Sequence, residues 1–487
     1  DEFSNADGLD PNRRERLKES IRVEAEALGI EADLGINDQC SHAEALSRID
    51  RFVCDIKETQ FGDGLHIFGR KSGQILPFET ASSELAERRA IRNALSGKRI
   101  PAGPSGSPYR GRMDVLPSGR NLFATDPLSV PTRAAHAQGI KLAEEFIRRH
   151  LQDKGDWPSG VIVDLWGSAT MRTAGEEFAM ALHLLGIKPV WADGSERVSG
   201  FEILPLITLD RPRIDVTLRV SGLFRDVFPT LSNLYQQAID ALSKREESSD
   251  WNPYTSGLEN ARIYGPAPQS YGLGMGSAPE DFSDTGRRAA AEAWLEASSY
   301  AIKGDRVYQD KKGLKDRVTK ADSFVHLQDM PETDLLLSAD YAAHEAGFAA
   351  AKKFIGGSVS LYHLDNTDPE NPTSRTLAEE IARVVYARAC NPSWLTGMKR
   401  HGFRGAAEIS ATLFHMSAFA NLADVVGPHL FDSYHDATLG NDDIVKFMSE
   451  YNPEALAAMR DCFEKLYHSG LWKTRRNFIL GDLGVSA

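Results

Sequence analysis

The chain is predicted to be α/β plus mainly α: a central α/β domain built on a parallel sheet, flanked by an N-terminal helical segment and a C-terminal helical region. Three observations predict this. Apolar residues recur at helical spacing from about residue 11 to 95, strand and helix patterns alternate from 133 to 245, and helix-start signals repeat from about 286 to the end. The expected divisions are 1–115, a helical segment and linker; 116–280, the α/β domain; and 281–487, mainly helical. A chain of 487 residues is too long for one ordinary core, which agrees with several domains.

In the first segment Leu17, Ile21, Val23 and Leu28, then Leu46, Ile49, Phe52, Val53 and Ile56, carry the helical spacing. From Gly97 to Pro131 the composition turns to Gly, Pro, Ser and Arg, which predicts a long irregular connection, and Pro131-Thr132-Arg133 starts the next helix. Strands are expected near 161–165, 188–191, 203–207 and 214–219, and helices near 134–151, 174–186 and 227–245; this alternation implies parallel strands with helices packed on them. Tyr264 to Met275 and Gly276 are too rich in Gly and Pro for a regular element and predict a loop. Beyond 286, starts such as Ser374 before Thr376–Ala389 and Asn452-Pro453 before Glu454–Tyr467 predict helices.

Composition excludes several classes. With 56 basic and 69 acidic residues the net charge is -13, so the surface repels a phosphate backbone and nucleic acid is not an expected partner. No apolar run approaches the roughly 20 residues of a membrane helix, and no export signal opens the chain. Cys40, Cys54, Cys390 and Cys462 are scattered, without a C-x-x-C pair, which fits a reducing cytoplasm and neither a disulfide framework nor a structural zinc site. Asp1 is not an initiating Met, and Ser4-Asn5-Ala6 reads as a cloning remnant, so a piece of a larger polypeptide is expected.

The most informative stretch is Val161 to Glu177, an apolar run that opens into a polar turn and then a helix. In open α/β sheets ligands bind beyond the carboxyl ends of the strands, which puts Trp166, Ser168, Thr170, Arg172 and Glu176 where a ligand is met. Either Trp166 offers its face to a flat ligand while Arg172 engages a carboxylate, or this is a structural turn with Trp166 packed in the core. A second loop, Ser221 to Asp226, leaves a strand on the same edge, so one ligand is expected to touch both. There Arg225 either clamps an acidic ligand or pairs locally with Asp226. His66, between apolar neighbours in Asp63–Arg70, either binds a metal or proton or does neither. His363 and Asp365 in Tyr362–Asp368 lie two residues apart, either as mixed ligands for a borderline metal or as part of an ordinary turn.

Other machineries are missing. Ser96-Gly97-Lys98-Arg99 has Arg92 where a P-loop requires glycine and Arg99 where it requires Ser or Thr, so the chain is not expected to hydrolyse ATP itself. Gly272, Gly274 and Gly276 lack dinucleotide spacing, and His344-Glu345 lacks the second His of a zinc-protease helix, with Phe348 in its place.

Taken together, the blocks Asp63–Arg70, Leu116–Leu122, Val130–Arg133, Asp164–Glu176, Ser221–Phe228, Asn391–Trp394 and His401–Gly405 resemble the C-terminal part of the large subunit of the aerobic cobaltochelatase (CobN) family, and more distantly the magnesium chelatase large subunit. The resemblance runs from about residue 15 to the last helix. Asp164–Arg172 and Tyr362–Asp365 read like the cobalt branch, whereas Gly64-Leu65-His66, Gly175-Glu176 and Phe224-Arg225-Asp226 are common to both branches.

The resemblance implies a metal-inserting ligase: ATP-dependent insertion of Co2+, as substrate, into hydrogenobyrinic acid a,c-diamide during aerobic cobalamin biosynthesis. ATP is then consumed by separate AAA+ type partner subunits, which agrees with the missing P-loop. It further implies Trp166, Ser168, Arg172, Ser221, Arg225 and Asp226 as ring-holding residues, His66 and Glu176 as groups that handle protons, and His66, His363 and Asp365 as metal ligands. The family's His-Gly-x-x-Glu-Trp type segment is expected upstream of residue 1, so the fragment alone is expected to be inactive. The competing expectations are a magnesium-porphyrin chelatase subunit of the same architecture and a non-catalytic docking module for the AAA+ partners.

Overall fold

A computed structural model describes residues 11–37, 40–59, 61–62, 64–70, 80–122, 126–256, 261–304, 306–476, 479 and 481. Asp1, Ser4-Asn5-Ala6 and Asp63 lie outside the described residues. The chain divides into two units, one of Asp1–Leu65, Thr333–Ala339 and Leu377–Ala487, the other of His66–Glu332 and Asp340–Thr376. Among the described residues no helix is long and apolar enough to cross a membrane.

Among the described residues the second unit contains ten strands of three or more residues: β1 (Gly160–Leu165), β2 (Ile187–Trp191), β3 (Val198–Ile203), β4 (Asp215–Val220), β5 (Ile263–Gly265), β6 (Tyr300–Lys303), β7 (Arg306–Gln309), β8 (Ser323–Gln328), β9 (Ser360–Asp365) and β10 (Thr373–Thr376). Eight of them form one sheet in the order β10-β9-β8-β1-β4-β5-β6-β7. Its five central strands, β9, β8, β1, β4 and β5, are parallel, while β10, β6 and β7 are added antiparallel. From β1 the chain builds outward to β4 and β5, then returns to the other side of β1 to lay down β8 and β9. The strand order therefore reverses at β1, and the crevice beyond the carboxyl ends of β1 and β8 is the switch point at which such sheets take ligands.

Alternation along the strands separates two faces. Val161, Val163, Leu165, Val216, Leu218 and Val220 join Leu142, Phe146, Phe178, Leu182 and Tyr235 in the main buried core, which comes from helices Arg133–Lys154, Glu176–Leu185 and Pro229–Leu242. The first two helices pack closely because Gly139 has no side chain: a Cβ there would sit 2.6 Å from the Met180 backbone nitrogen. On the other face Phe324 of β8 stacks on Phe348 at 4.5 Å, and Trp294 meets Phe348 at 5.2 Å. Helices Asp284–Ala297 and Gly347–Ile355 supply that layer.

Three expectations need correction. The sheet is mixed and extends to Thr376, so 281–487, although mainly helical, also supplies β6 to β10, and the division at 280 cuts through the sheet unit. Ser323-Phe324-Val325-His326-Leu327-Gln328 is buried along its whole length, and a short buried run carries no alternation by which to tell strand from helix. No strand spans 203–207: β3 ends at Ile203 and Pro205, which has no amide donor, precedes helix Leu206–Leu209. With β2, β3 forms a separate antiparallel hairpin. The expected helix near 227–245 is present as Pro229–Leu242, opened by Pro229, and a short helix, Gly222–Val227, precedes it.

The other unit is helical. Its longest helix, Phe403–Ala423, is followed by Pro428–Ala437, Asp442–Tyr451 and Pro453–His468. Phe431, His435 and Phe463 pack around the fully buried Trp472.

Candidate functional site at the strand ends

Near the carboxyl ends of four adjacent parallel strands the register aligns one residue from each: His363 of β9 beside His326 of β8, His326 beside Asp164 of β1, and Asp164 beside Arg219 of β4. Lateral neighbours in a parallel sheet share a face, so this row of two imidazoles, a carboxylate and a guanidinium lies on one side of the sheet. A wide, π-type turn at Ala342–Ala346, a feature found often at functional sites, covers the row and turns both His344 and Glu345 onto it.

Asp164 is the hub. Its Oδ2 accepts from Trp166 Nε1 at 2.7 Å and lies 2.8 Å from His344 Nδ1 and 3.2 Å from His326 Nδ1; its Oδ1 accepts from Arg219 Nη1 at 3.1 Å. Its side chain is completely buried. Burial alone raises the Asp164 carboxyl, but the charges of His344 and Arg219, with the bonds from both imidazoles, outweigh it and hold the group well below the usual carboxylate range. Burial, helped by the nearby Arg219, lowers His344 below an ordinary imidazole against the pull of Asp164. A second carboxylate–imidazole pair flanks the first, with His363 Nδ1 3.1 Å from Glu345 Oε1.

Aromatic rings close the cluster. The Trp166 ring has His326 at 4.8 Å, His344 at 5.0 Å and Tyr341 at 5.2 Å, and Tyr341 also meets His326 edge-on at 5.4 Å. Trp166 is half-buried, and its indole N–H serves Asp164. Ser221 fastens the two loops together: its hydroxyl caps helix Gly222–Val227 through Phe224 N at 3.2 Å and accepts from Gly167 N at 3.0 Å. A Cβ on Gly167 would lie 2.5 Å from Phe224 N, so this approach requires glycine. Gly167→Ala is expected to cost about 1–3 kcal/mol of stability by overpacking, measured by urea unfolding.

The remaining sequence-predicted residues go to separate partners. Arg172 makes a bidentate pair with Asp329, just past β8, at 2.7 and 2.8 Å. Glu176 accepts from Arg110 at 2.7 Å and from Asn366 at 2.5 Å, and burial raises its carboxyl while Arg110 pulls the other way. Arg225 pairs with Asp226 at 2.7 and 3.0 Å and donates to the Pro266 and Ala267 carbonyls. Asp226 also accepts from Tyr271 at 2.8 Å. Ser168 is partly exposed on helix Gly167–Thr173. Each of the two guanidiniums is thus matched by a carboxylate of its own, Arg172 by Asp329 and Arg225 by Asp226.

The expected metal set is not assembled. His66 is exposed and lies 3.2 Å from Glu87, His363 is buried against Glu345, and Asp365 accepts from Thr367 and Arg375, the ordinary turn that the sequence left open. Among the described residues no group of three or more His, Cys, Asp or Glu is arranged to hold a metal ion. Sequence reasoning missed Arg219, His326, Tyr341 and Asp329 and used His344-Glu345 only to reject a zinc protease. The available signal was polar residues embedded in the buried runs Asp215–Val220 and Ser323–Gln328.

The chain was compared with known proteins. The profile described as CobN/Magnesium Chelatase matches residues 1–76 and 74–479. Two proteins named aerobic cobaltochelatase subunit CobN, from Pseudomonas aeruginosa and Sinorhizobium sp, are each 32% identical, over 97% and 100% of this chain and 48% and 50% of their own lengths. The magnesium-chelatase subunit ChlH of Oryza sativa subsp. japonica is 26% identical over 82% of this chain and 30% of its own. The solved catalytic subunit of cobaltochelatase from Mycobacterium tuberculosis superposes with a TM-score of 0.89 at 27% identity, over 99% of this chain and 50% of that one. The chain thus spans about half the length of these cobaltochelatase relatives. With its profile matched along most of its length and a shared fold, the chain belongs to the CobN/magnesium chelatase family.

Proposed function

We propose that the chain works as part of the large, tetrapyrrole-holding subunit of an ATP-dependent cobaltochelatase, a cytoplasmic ligase that inserts Co2+ into hydrogenobyrinic acid a,c-diamide. The observation that carries this reading is the end-to-end match to cobaltochelatase subunits, which is higher in identity and broader than the match to the magnesium relative. ATP would be used by AAA+ type partner subunits, since this sequence has no P-loop.

The chemistry asks for an aromatic surface, a group that takes pyrrole protons, and a setting that favours the metal's loss of water. Trp166, Tyr341 and His344 at the switch point offer the first two, and Ser168 and Arg172 on the adjoining helix lie at the same strand ends. The catalytic role expected of Glu176 is better read as structural, because its carboxylate joins Arg110 to Asn366.

The test is a titration of the full-length subunit with each tetrapyrrole, following tryptophan emission in the wild type and in Trp166→Phe. Hydrogenobyrinic acid a,c-diamide is expected to quench wild-type emission, with a smaller change in the variant. Tighter binding of protoporphyrin would favour the magnesium reading. No response to any tetrapyrrole, with the AAA+ partners still bound, would favour a docking module.

A further inference from the structure

Insertion of a divalent ion into a tetrapyrrole displaces ring N–H protons, two from a porphyrin and one from a corrin such as hydrogenobyrinic acid a,c-diamide, so a site that performs it needs a base that is neutral near pH 7 and open to the ring. We propose that His344 is that base, with Asp164 as its positioning residue; this rests on the chelatase reading above. In the step, a pyrrole N–H bond breaks, the electron pair stays on the ring nitrogen to bind the incoming cobalt ion, and the proton bonds to His344 Nε2. The resulting imidazolium is matched by Asp164, and the proton then leaves to water.

Three observations single out His344. Of the polar side chains in the row and its cover, Asp164, Arg219, His326, His363 and Glu345 are 0–3% exposed, whereas His344 keeps 12%. Its Nδ1 lies 2.8 Å from the buried Asp164 carboxylate, and among the described residues no side chain bonds its Nε2. A proton on Nδ1 directed at a carboxylate leaves Nε2 as the basic nitrogen, the arrangement that orients a histidine base in hydrolytic triads. Finally, the Trp294 indole N–H, from helix Asp284–Ala297, bonds the His344 carbonyl at 3.2 Å and steadies the wide turn.

The groups facing His344 are Asp164 and Trp166 from β1 and its end, Arg219 from β4, His326 from β8, and Tyr341 and Glu345 from its own segment, with Glu345 turned to His363 on β9. Burial disfavours a positive charge on His344, and Arg219 Nη1, 2.8 Å from His344 Nδ1, adds to that against the pull of Asp164. Nδ1 also lies 3.1 Å from the Trp166 indole N–H, and the tautomer in which Nδ1 accepts from Arg219 and Trp166 while Nε2 is protonated has no base to offer.

The experiment has two arms. In the full-length subunit with its AAA+ partners, His344→Gln is expected to lower the rate of cobalt insertion by about 100-fold or more, the scale of general-base catalysis. KM for the ring should stay within about threefold, the rise of kcat with pH should disappear, and added imidazole should restore part of the rate. A variant that inserts cobalt at the wild-type rate, or that keeps the wild-type pH dependence, overturns the role of His344 while wild-type turnover preserves the chelatase reading. A wild-type subunit that binds no tetrapyrrole overturns both. The second arm needs no variant: nitrogen-15 NMR of histidine-labelled protein at pH 7 is expected to show a neutral His344 with its proton on Nδ1. A proton on Nε2 overturns the proposal.

Discussion

Asp164→Asn is expected to destabilise the sheet unit by about 3–5 kcal/mol, the range for removing one partner of a buried ion pair. The change is nearly isosteric, so the loss is electrostatic. Arg219, 3% exposed, would keep its charge without the carboxylate, and an amide that accepts through one oxygen would face four donors now shared by two. Urea unfolding followed by far-UV circular dichroism measures the loss. Arg219→Met in the same chain should recover roughly half or more of it, because deleting both members of a buried pair is often close to neutral. A single-variant loss below about 1 kcal/mol would mean that Asp164 does not hold the cluster together. The pH dependence has a definite sign: the folded carboxyl lies well below its unfolded value of 3.8, so its contribution is present above pH 3.8 and is lost as pH falls through the folded value.

The same network explains what was legible in the sequence. Asp164-Leu165-Trp166 stood out because an apolar strand opened into polar residues, and the fold places that junction at the switch point, as the general rule for open sheets requires. The partners of Asp164 did not stand out. His326 is 162 residues away and sits within a run buried on both faces, and His344 is 180 residues away on a turn whose function depends on its wide geometry. Local spacing cannot reveal a contact created when β8 returns to the far side of β1. The arginines show the same limit from the other side. Arg172 and Arg225 looked available because charge on a loop suggests a ligand, yet Asp329 meets the first from 157 residues away and Asp226 meets the second from the next position. The metal reading of His363 and Asp365 assumed that neighbours on one strand face share a ligand. The folded chain gives them different partners, Glu345 and Arg375. The helices Pro11–Ala27, His42–Glu58 and Thr80–Leu95 needed no such contacts to be read, since periodicity is a local property.

Glu177→Gln is expected to stabilise the protein at pH 8 by roughly 3 kcal/mol and to leave its stability near pH 4 almost unchanged. Among the described residues no cation forms an ion pair with Glu177, which is 1% exposed in the first turn of helix Glu176–Leu185: its oxygens accept from Thr170 Oγ1 at 2.6 Å and Thr173 Oγ1 at 2.8 Å. Burial raises its pKa from 4.5 to about 7, although both threonines and its own backbone N–H favour the anion. Between these two values the folded chain holds a proton that the unfolded chain has released, so stability falls as pH rises from 4.5 to about 7 and then levels off. A neutral glutamine keeps the shape and does not ionise, and Thr170 can still donate to the Trp166 carbonyl at 3.1 Å while accepting from the new amide. Taking the difference between wild type and variant at pH 5 and pH 8 cancels every other titrating group, and a difference that does not change between those pH values would show that Glu177 is ionised throughout. The consequence reaches the site, because Thr170 and Thr173 belong to the helix Gly167–Thr173 that follows Trp166. A proton gained or lost at Glu177 near neutral pH acts on the base of the segment that presents the indole to Asp164 and His344, so the variant should also flatten any pH dependence of the Trp166 emission between pH 6 and 8.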